Sequence, residues 1–278
     1  MMSDVASLQT ALTERFGETL EIPKCEGVER LASIARHRTH RRYLAREVEP
    51  SLLRLLYACA LSAPSKSDLQ QTDILIVRDK AKRQVIADLL PDMPWVREAP
   101  VFLVFLANGR RFARLFEVRQ RPFTNDHLDL LFNATVDAAL VQMNFVRAAE
   151  AVGLGCCPIS VIRDHAAKVS ELLELPDKVI PVAGMCVGWP AEEGGISPRL
   201  PLAVTVHEDR FSDDDLATEI AGYDRRRESL RPYRNQREVA RFGRAEFYGW
   251  SEDKARQYAK PQRADFGAFV RSKGFRLD

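Results

Sequence analysis

Residues 126–152 read DHLDLLFNATVDAALVQMNFVRAAEAV, and this stretch decides the class of fold. Apolar residues recur along it at helical spacing and leave little room for a polar face. A helix that is apolar all round is buried on several sides. The pattern therefore predicts a central helix or a helix at a subunit interface, ended by Gly153 and Gly155.

Extended segments are expected on both sides of this helix. The apolar runs 74–77, 100–106 and 179–189 predict buried strands, and shorter extended pieces are expected at 158–162 and 200–206. Helical patterns alternate with these segments, so the class is α+β or α/β.

Other helices are predicted before and after the central one. Residues 1–28 predict a leader helix packed on the main domain, broken at Pro23 and Gly27. Asp164 can cap a helix that follows it. A helix that begins at Pro50 has an apolar face made of Leu52, Leu55, Leu56 and Cys59.

The composition excludes several classes of protein. Hydrophobic residues make up 46% and charged residues 29% of the 278 residues, as in an ordinary soluble globular protein. A net charge of +2 gives no electrostatic argument for nucleic acid or membrane. No basic region followed by an apolar core opens the chain, so we expect no signal peptide and a cytoplasmic location. The spacing of five cysteines and five histidines predicts neither disulfides nor a metal site.

Three separate segments share residues suited to anions and polar ligands. His37-Arg38-Thr39-His40-Arg41 offers guanidinium forks and a hydroxyl, and Arg38 and Arg41 face one ligand if one helical turn holds them. Ser65-Lys66-Ser67-Asp68-Leu69-Gln70 is a hydroxyl-rich loop. Pro198-Arg199-Leu200-Pro201 holds one arginine between two prolines. Each segment alone is also typical of an ordinary solvated surface.

In this order, the segments resemble the nitroreductase family of FMN-dependent enzymes, and most of all its NADPH-dependent branch of oxygen-insensitive nitroreductases and flavin reductases. The resemblance covers roughly residues 30–275. Its motifs are His37 to Tyr43, Ala-Pro-Ser-x-Ser-x-x-Gln at 63–70, Ala148 to Gly155, Gly188-Trp189-Pro190, and Pro198 to Pro201 followed by His207-Glu208.

The resemblance implies an α+β fold with a mixed sheet flanked by helices. It also implies an intertwined homodimer in which the long central helix lies at the interface. The chain would divide into an N-terminal helical extension at 1–28, an FMN-binding core at 29–209 and an arginine-rich extension at 210–278 that contributes to the dimer and the NADPH site.

The same resemblance implies which residues hold the FMN. The phosphate and ribityl chain would contact His37, Arg38, Thr39, Arg41 and Arg199. The loop residues Ser65, Ser67 and Gln70 would line the flavin from the partner subunit, with Lys66 as an added charge. The flavin ring would lie along Pro158, Ile159, Ser160 and Val161.

The implied activity is ping-pong hydride transfer from NADPH, or from NADH, to nitroaromatics, quinones or related small acceptors. The flavin carries the chemistry, so no catalytic acid, base or nucleophile is named. By approximate position Arg234 would bind the 2′-phosphate of NADPH, with Arg231 and Arg237 as neighbouring candidates. A solvated helix is the alternative for this segment.

Departures from the family pattern keep other functions open. Ser197 stands where a basic residue is expected, and Ser160 and Val161 stand where glycines are expected. A nitroreductase fold with another flavin reaction, or without flavin, is therefore an alternative. Residues 225–244 hold eight arginines and two glutamates, which makes a nucleic-acid-binding module a remote alternative.

Overall fold

A computed structural model describes residues 2–278 and divides them into two compact units. Unit 1 comprises residues 2–38 and 195–262, and unit 2 comprises residues 39–194 and 263–278. Each unit is therefore built from two separate parts of the chain.

Unit 2 contains a sheet and most of the long helices. Its strands are β1 (Thr72–Ile76), β2 (Val101–Asn108), β3 (Gly155–Ile159) and β4 (Val179–Gly188). Its α-helices are α3 (Pro50–Leu61), α4 (Lys80–Asp88), α5 (Trp95–Glu98), α6 (Arg110–Arg119), α7 (Leu128–Ala151), α8 (Ala166–Leu172) and α13 (Phe266–Ser272). Short 3₁₀ helices occupy Lys66–Asp68 and Ser160–His165.

The four strands are ordered β1-β2-β4-β3 and are antiparallel throughout. An isolated parallel bridge between Thr39 and Cys156 adds a short parallel pairing beside β3. This α+β architecture confirms the predicted fold class.

Strand β2 is buried along its whole length because both of its faces are covered. Successive side chains of a strand point to opposite faces. Leu103 and Phe105 pack in one cluster with Phe145 of α7, whereas Phe102 and Val104 belong to a second cluster that includes residues of α4 and α8. The continuous apolar run at 100–106 is explained by this double coverage.

Helix α7 confirms the helix predicted from residues 126–152. One face is buried in unit 2 and carries a single carboxylate, Asp137. The opposite face leaves large apolar side chains exposed. Their exposed fractions are 48% for Leu128, 64% for Phe132, 39% for Val136, 39% for Leu140 and 46% for Met143.

In the described residues of unit 1, helices joined by loops are the regular secondary structure. Its helices are α1 (Met2–Phe16), α2 (Val28–Ala35), α9 (Leu202–Thr205), α10 (Leu216–Leu230), α11 (Val239–Phe242) and α12 (Trp250–Tyr258). The helix predicted within residues 1–28 is confirmed as α1, which ends at Phe16, before the predicted break at Pro23. Its side chains Leu8 and Ala11 pack against Ala32 of α2 and against Ile196.

Several local predictions were wrong. Helix α3 buries Leu53, Leu56 and Ala60, and it leaves Leu55 and Cys59 exposed, because packing against α7 selects a face one residue away from the predicted one. Residues 202–205 form α9 instead of extended chain.

The region after β3 also differs from the prediction. The extended segment ends at Ile159, so that Ser160 and Val161 lie in a 3₁₀ helix. Asp164 does not cap α8, because it pairs with Arg263 and His165 holds the N-cap position.

Candidate functional site

The basic segment passes from unit 1 into unit 2 between Arg38 and Thr39. Within unit 2, the Thr39 bridge to Cys156 and a 3.0 Å hydrogen bond from the His40 amide to the Cys156 carbonyl give this part of the chain strand-type pairing. The hypothesis that one helical turn holds Arg38 and Arg41 together is therefore wrong.

Arg41 faces an aromatic ring and a thiol in unit 2. Its guanidinium carbon lies 5.5 Å from the centre of the Trp95 ring. Burial raises the pKa of the Cys157 thiol, and the nearby Arg41 charge acts in the opposite direction. Arg41 is exposed, so its outer donors are accessible to a ligand.

Cys157, the thiol next to this arginine, is one of three buried cysteines on neighbouring strands. Cys157 stands opposite Cys186 in the pairing of β3 with β4, and Cys156 precedes it. Burial raises the pKa of each thiol. Because the thiolate is the reactive form, these cysteines are poor nucleophiles near neutral pH.

The loop at 65–70 is organised around a buried carboxylate. Asp137 of α7 accepts a 2.7 Å hydrogen bond from the Ser65 hydroxyl and bonds of 3.3 and 3.0 Å from the amides of Lys66 and Gln71. The Ser65 hydroxyl in turn accepts a 2.7 Å bond from the Gln70 amide. Ser65 therefore shapes the loop, and Asp137 is a site residue that sequence reasoning missed. Its signal was the lone carboxylate within the largely apolar residues 130–149 of α7.

This arrangement presents the other loop residues to solvent. Lys66, Ser67 and Gln70 are exposed, and Ser67 and Gln70 hold left-handed φ angles of 50° and 51°. The loop borders a cavity of about 560 Å³. Its walls include Leu61, Pro64, Ser65, Gln70, Thr72 and Val141. This volume lies within the roughly 300–1,000 Å³ typical of small-molecule sites.

The segment 158–161 lies at the end of β3. Pro158 and Ser160 are exposed, whereas Ile159 is buried in the core and Val161 is half-buried. A ligand that runs along this segment can therefore contact Pro158 and Ser160 directly, and Ile159 only through its backbone.

In unit 1, a buried arginine brings two of the predicted segments together. Arg15 of α1 donates hydrogen bonds to the carbonyls of Ala35 at 2.9 Å, His37 at 2.7 Å and Ser197 at 3.1 Å. The Arg199 amide donates a 2.6 Å bond to the Arg15 carbonyl. His37 and Arg38 thus lie near Ser197 and Arg199, and Arg15 itself was not predicted from the sequence.

Many arginines of residues 225–244 bind groups of unit 1. Arg237 pairs with the buried Asp253 at 3.0 Å, and Arg241 donates to the Ala259 carbonyl at 3.1 Å. Arg231 donates a 3.3 Å bond to the Ser197 hydroxyl. Arg234, which lies between Arg231 and Arg237, is exposed.

Among residues 2–278, no helix combines the length and the apolar character that crossing a membrane requires.

Family models match both parts of the chain. The model described as Nitroreductase family matches residues 34–189, and the model described as Nitroreductase family, C-terminal domain, matches residues 197–278.

Similar proteins cover most of the chain. A Bacillus subtilis protein named FMN reductase (NAD(P)H) is 31% identical over 89% of this chain and 98% of its own length. A Salmonella typhimurium protein named oxygen-insensitive NADPH nitroreductase is 34% identical over 68% of this chain and 76% of its own length. The solved structure of B. megaterium NfrA2 is 30% identical, has a TM-score of 0.80, and is matched over 90% of this chain and 98% of its own. The structure of Vibrio harveyi NADPH:FMN oxidoreductase complexed with NAD⁺ is 28% identical, has a TM-score of 0.77, and is matched over 88% and 97% of the two chains.

Proposed function

This chain belongs to the nitroreductase family, and from that premise we propose that it is an FMN-dependent oxidoreductase that uses NADPH or NADH to reduce small organic acceptors. The observation that carries the proposal is the family match, which extends over both the sheet-bearing part and the C-terminal part of the chain. The implied acceptors are nitroaromatics, quinones or related molecules. The buried, free cysteines agree with a cytoplasmic location, where thiols stay reduced.

The phosphate of FMN is assigned to the basic segment at 37–41 and to Arg199. His37, Arg38 and Arg199 supply nitrogen donors, and guanidinium groups match the geometry of phosphate oxygens. The hydrogen bonds of Arg15 support this assignment, because they hold the main chain at His37 and Ser197. The donor set therefore fits a phosphate.

Thr39 and Arg41 are assigned, with these donors, to the phosphate and ribityl chain. The flavin is assigned to Pro158, Ile159, Ser160 and Val161, with Ser65, Ser67 and Gln70 lining it from the partner subunit and Lys66 as an added charge. The bound FMN supplies the redox chemistry by accepting and passing on hydride. The residues of the chain bind and orient it, and the exposed loop side chains offer hydroxyl, ammonium and amide groups to polar atoms of the ligand.

A homodimer is part of the proposal. The exposed apolar face of α7 supports a subunit interface, because contiguous apolar patches on a protein surface mark interaction sites. A second copy of the chain that packs against this face would bury Phe132 and Leu140. In such a dimer the loop at 65–70, which α7 holds through Asp137, would lie close to the interface.

Arg234 is assigned to the 2′-phosphate of NADPH. The segment that carries Arg234 is held on one side by the hydrogen bond from Arg231 to Ser197. On the other side it is held by the ion pair between Arg237 and Asp253. Arg234 is exposed between these two points. This arrangement favours Arg234 over its two neighbours, whose guanidinium groups already bind the protein.

Replacing Arg234 with alanine should raise the KM for NADPH roughly tenfold or more, because a charge-assisted hydrogen bond to phosphate is lost. The KM for NADH, which lacks this phosphate, should change less than about twofold. Steady-state kinetics with both donors measures the difference. Arg244→Ala, which removes another exposed arginine of unit 1, is the control and should change neither value. Equal effects of Arg234→Ala on the two donors would exclude Arg234 as the 2′-phosphate ligand.

The visible spectrum of the purified protein tests the function itself. After addition of FMN and removal of free flavin, we expect bound flavin bands that bleach under anaerobic NADPH and return when a quinone or nitroaromatic is added. Bands that persist with both NADPH and NADH would refute the reductase activity. A protein that retains no FMN would refute the cofactor assignment.

A further inference from the structure

The buried Arg15 acts on chain segments rather than on a ligand. Its side chain, only 7% exposed, lies at the end of α1 and makes the bonds to Ala35, His37 and Ser197 described above. A guanidinium carries five donors in a rigid planar fork, so one side chain can hold carbonyls from separate segments at fixed positions. Arg15 thereby sets the spacing between the end of α2 and residues 197–199.

Arg226 of α10 also holds the end of α1 and the main chain at Arg199. It donates to the carbonyls of Glu14 at 3.4 Å and Arg15 at 3.2 Å, and also to the carbonyl of Arg199. Gly17 makes room for it, because a Cβ at Gly17 would lie 2.5 Å from the Cδ of Arg226. The left-handed φ of 77° at Gly17, which ends α1, also favours glycine.

We propose that Arg15, supported by Arg226, is a positioning residue for the cofactor phosphate. Through backbone carbonyls it holds the segments that carry Arg38 and Arg199 so that both guanidinium groups reach the same anion. This inference rests on the proposed FMN site and extends it by giving the leader helix α1 a role in cofactor binding.

Arg15→Lys tests the proposal, because it keeps the charge while one ammonium cannot replace the planar fork that holds three separate carbonyls. The readout is the Kd for FMN and for riboflavin, which lacks the phosphate, measured from flavin fluorescence on the apoprotein. We expect the Kd for FMN to rise about tenfold or more and the Kd for riboflavin to stay within about twofold. Arg226 is half-buried, so its position tolerates change better. Arg226→Gln should also raise the Kd for FMN, by a smaller factor than Arg15→Lys.

The control is Arg30→Lys on α2, whose side chain is 87% exposed and pairs with Glu29. It should leave both dissociation constants unchanged. Equal weakening of FMN and riboflavin by Arg15→Lys would mean that Arg15 only stabilises the fold, and unchanged FMN binding would remove α1 from the site. A wild-type protein that binds FMN no better than riboflavin would instead refute the proposed phosphate site, and the positioning role with it.

Discussion

Replacing Asp137 with asparagine should lower the free energy of unfolding by about 3 kcal/mol and weaken flavin binding at the same time. The carboxylate is 1% exposed and accepts hydrogen bonds from a hydroxyl and two amides. An asparagine of the same shape turns one acceptor into an NH₂ donor, so that donors face donors in a buried site. Urea unfolding of the apoprotein measures the stability, and FMN titration measures the binding.

Asp129→Asn is the matched control on the same helix. Asp129 lies in the first turn of α7, its side chain is 53% exposed, and its pair with Lys66 spans 3.9 Å. An exposed pair and a favourable position at a helix N-terminus are together worth about 1 kcal/mol or less. If Asp137→Asn were no more destabilising than this control, the loop at 65–70 would not depend on the buried carboxylate.

Replacing Phe132 with aspartate should convert the proposed dimer into monomers. Phe132 is 64% exposed in the single chain, and an interface on α7 would bury it. The substitution would place an unpaired carboxylate in an apolar interface, which costs several kcal/mol and raises the dissociation constant by about 100-fold or more. Light scattering after size-exclusion chromatography should give twice 31.5 kDa for the wild type and a concentration-dependent fall towards 31.5 kDa for the variant.

Val118→Asp provides the control for this experiment. Val118 lies on α6 and is 77% exposed, so a carboxylate again replaces an exposed apolar side chain, at a site that the proposal leaves out of the interface. It should leave the measured mass at the wild-type value. A Phe132→Asp protein that remains dimeric at micromolar concentration would place the interface elsewhere.

The sequence predicted the elements that depend on local pattern. Helix α7 follows from apolar residues that recur at helical spacing. Strands β2 and β4 follow from continuous apolar runs. The face of α3 was missed because packing against α7 decides which side is buried, and α9 was missed because four residues carry too little periodicity.

The candidate site divides in the same way. The segments that carry Arg38, Ser65 and Arg199 are visible as short motifs in the sequence. The residues that hold them, Arg15 and Asp137, have partners 20 or more positions away, which no local pattern reveals. The predicted division at residues 28 and 209, like the assigned contacts of Arg41 and Arg199, stays a prediction.

Because each unit combines two separate parts of the chain, its folding during biosynthesis is delayed. Helices α1 and α2 leave the ribosome early, but the remainder of unit 1 begins only at residue 195. Unit 2 in turn buries Phe275, which packs with Ala107 and Leu130 and is translated long after both. Domains generally fold as units during synthesis, from the N-terminal end first. Here unit 1 cannot close until residues 195–262 have been translated, and unit 2 cannot close until residues 263–278 have followed, so the nascent protein exposes apolar surface for longer than a chain of consecutive domains and depends more on chaperones while it is being made.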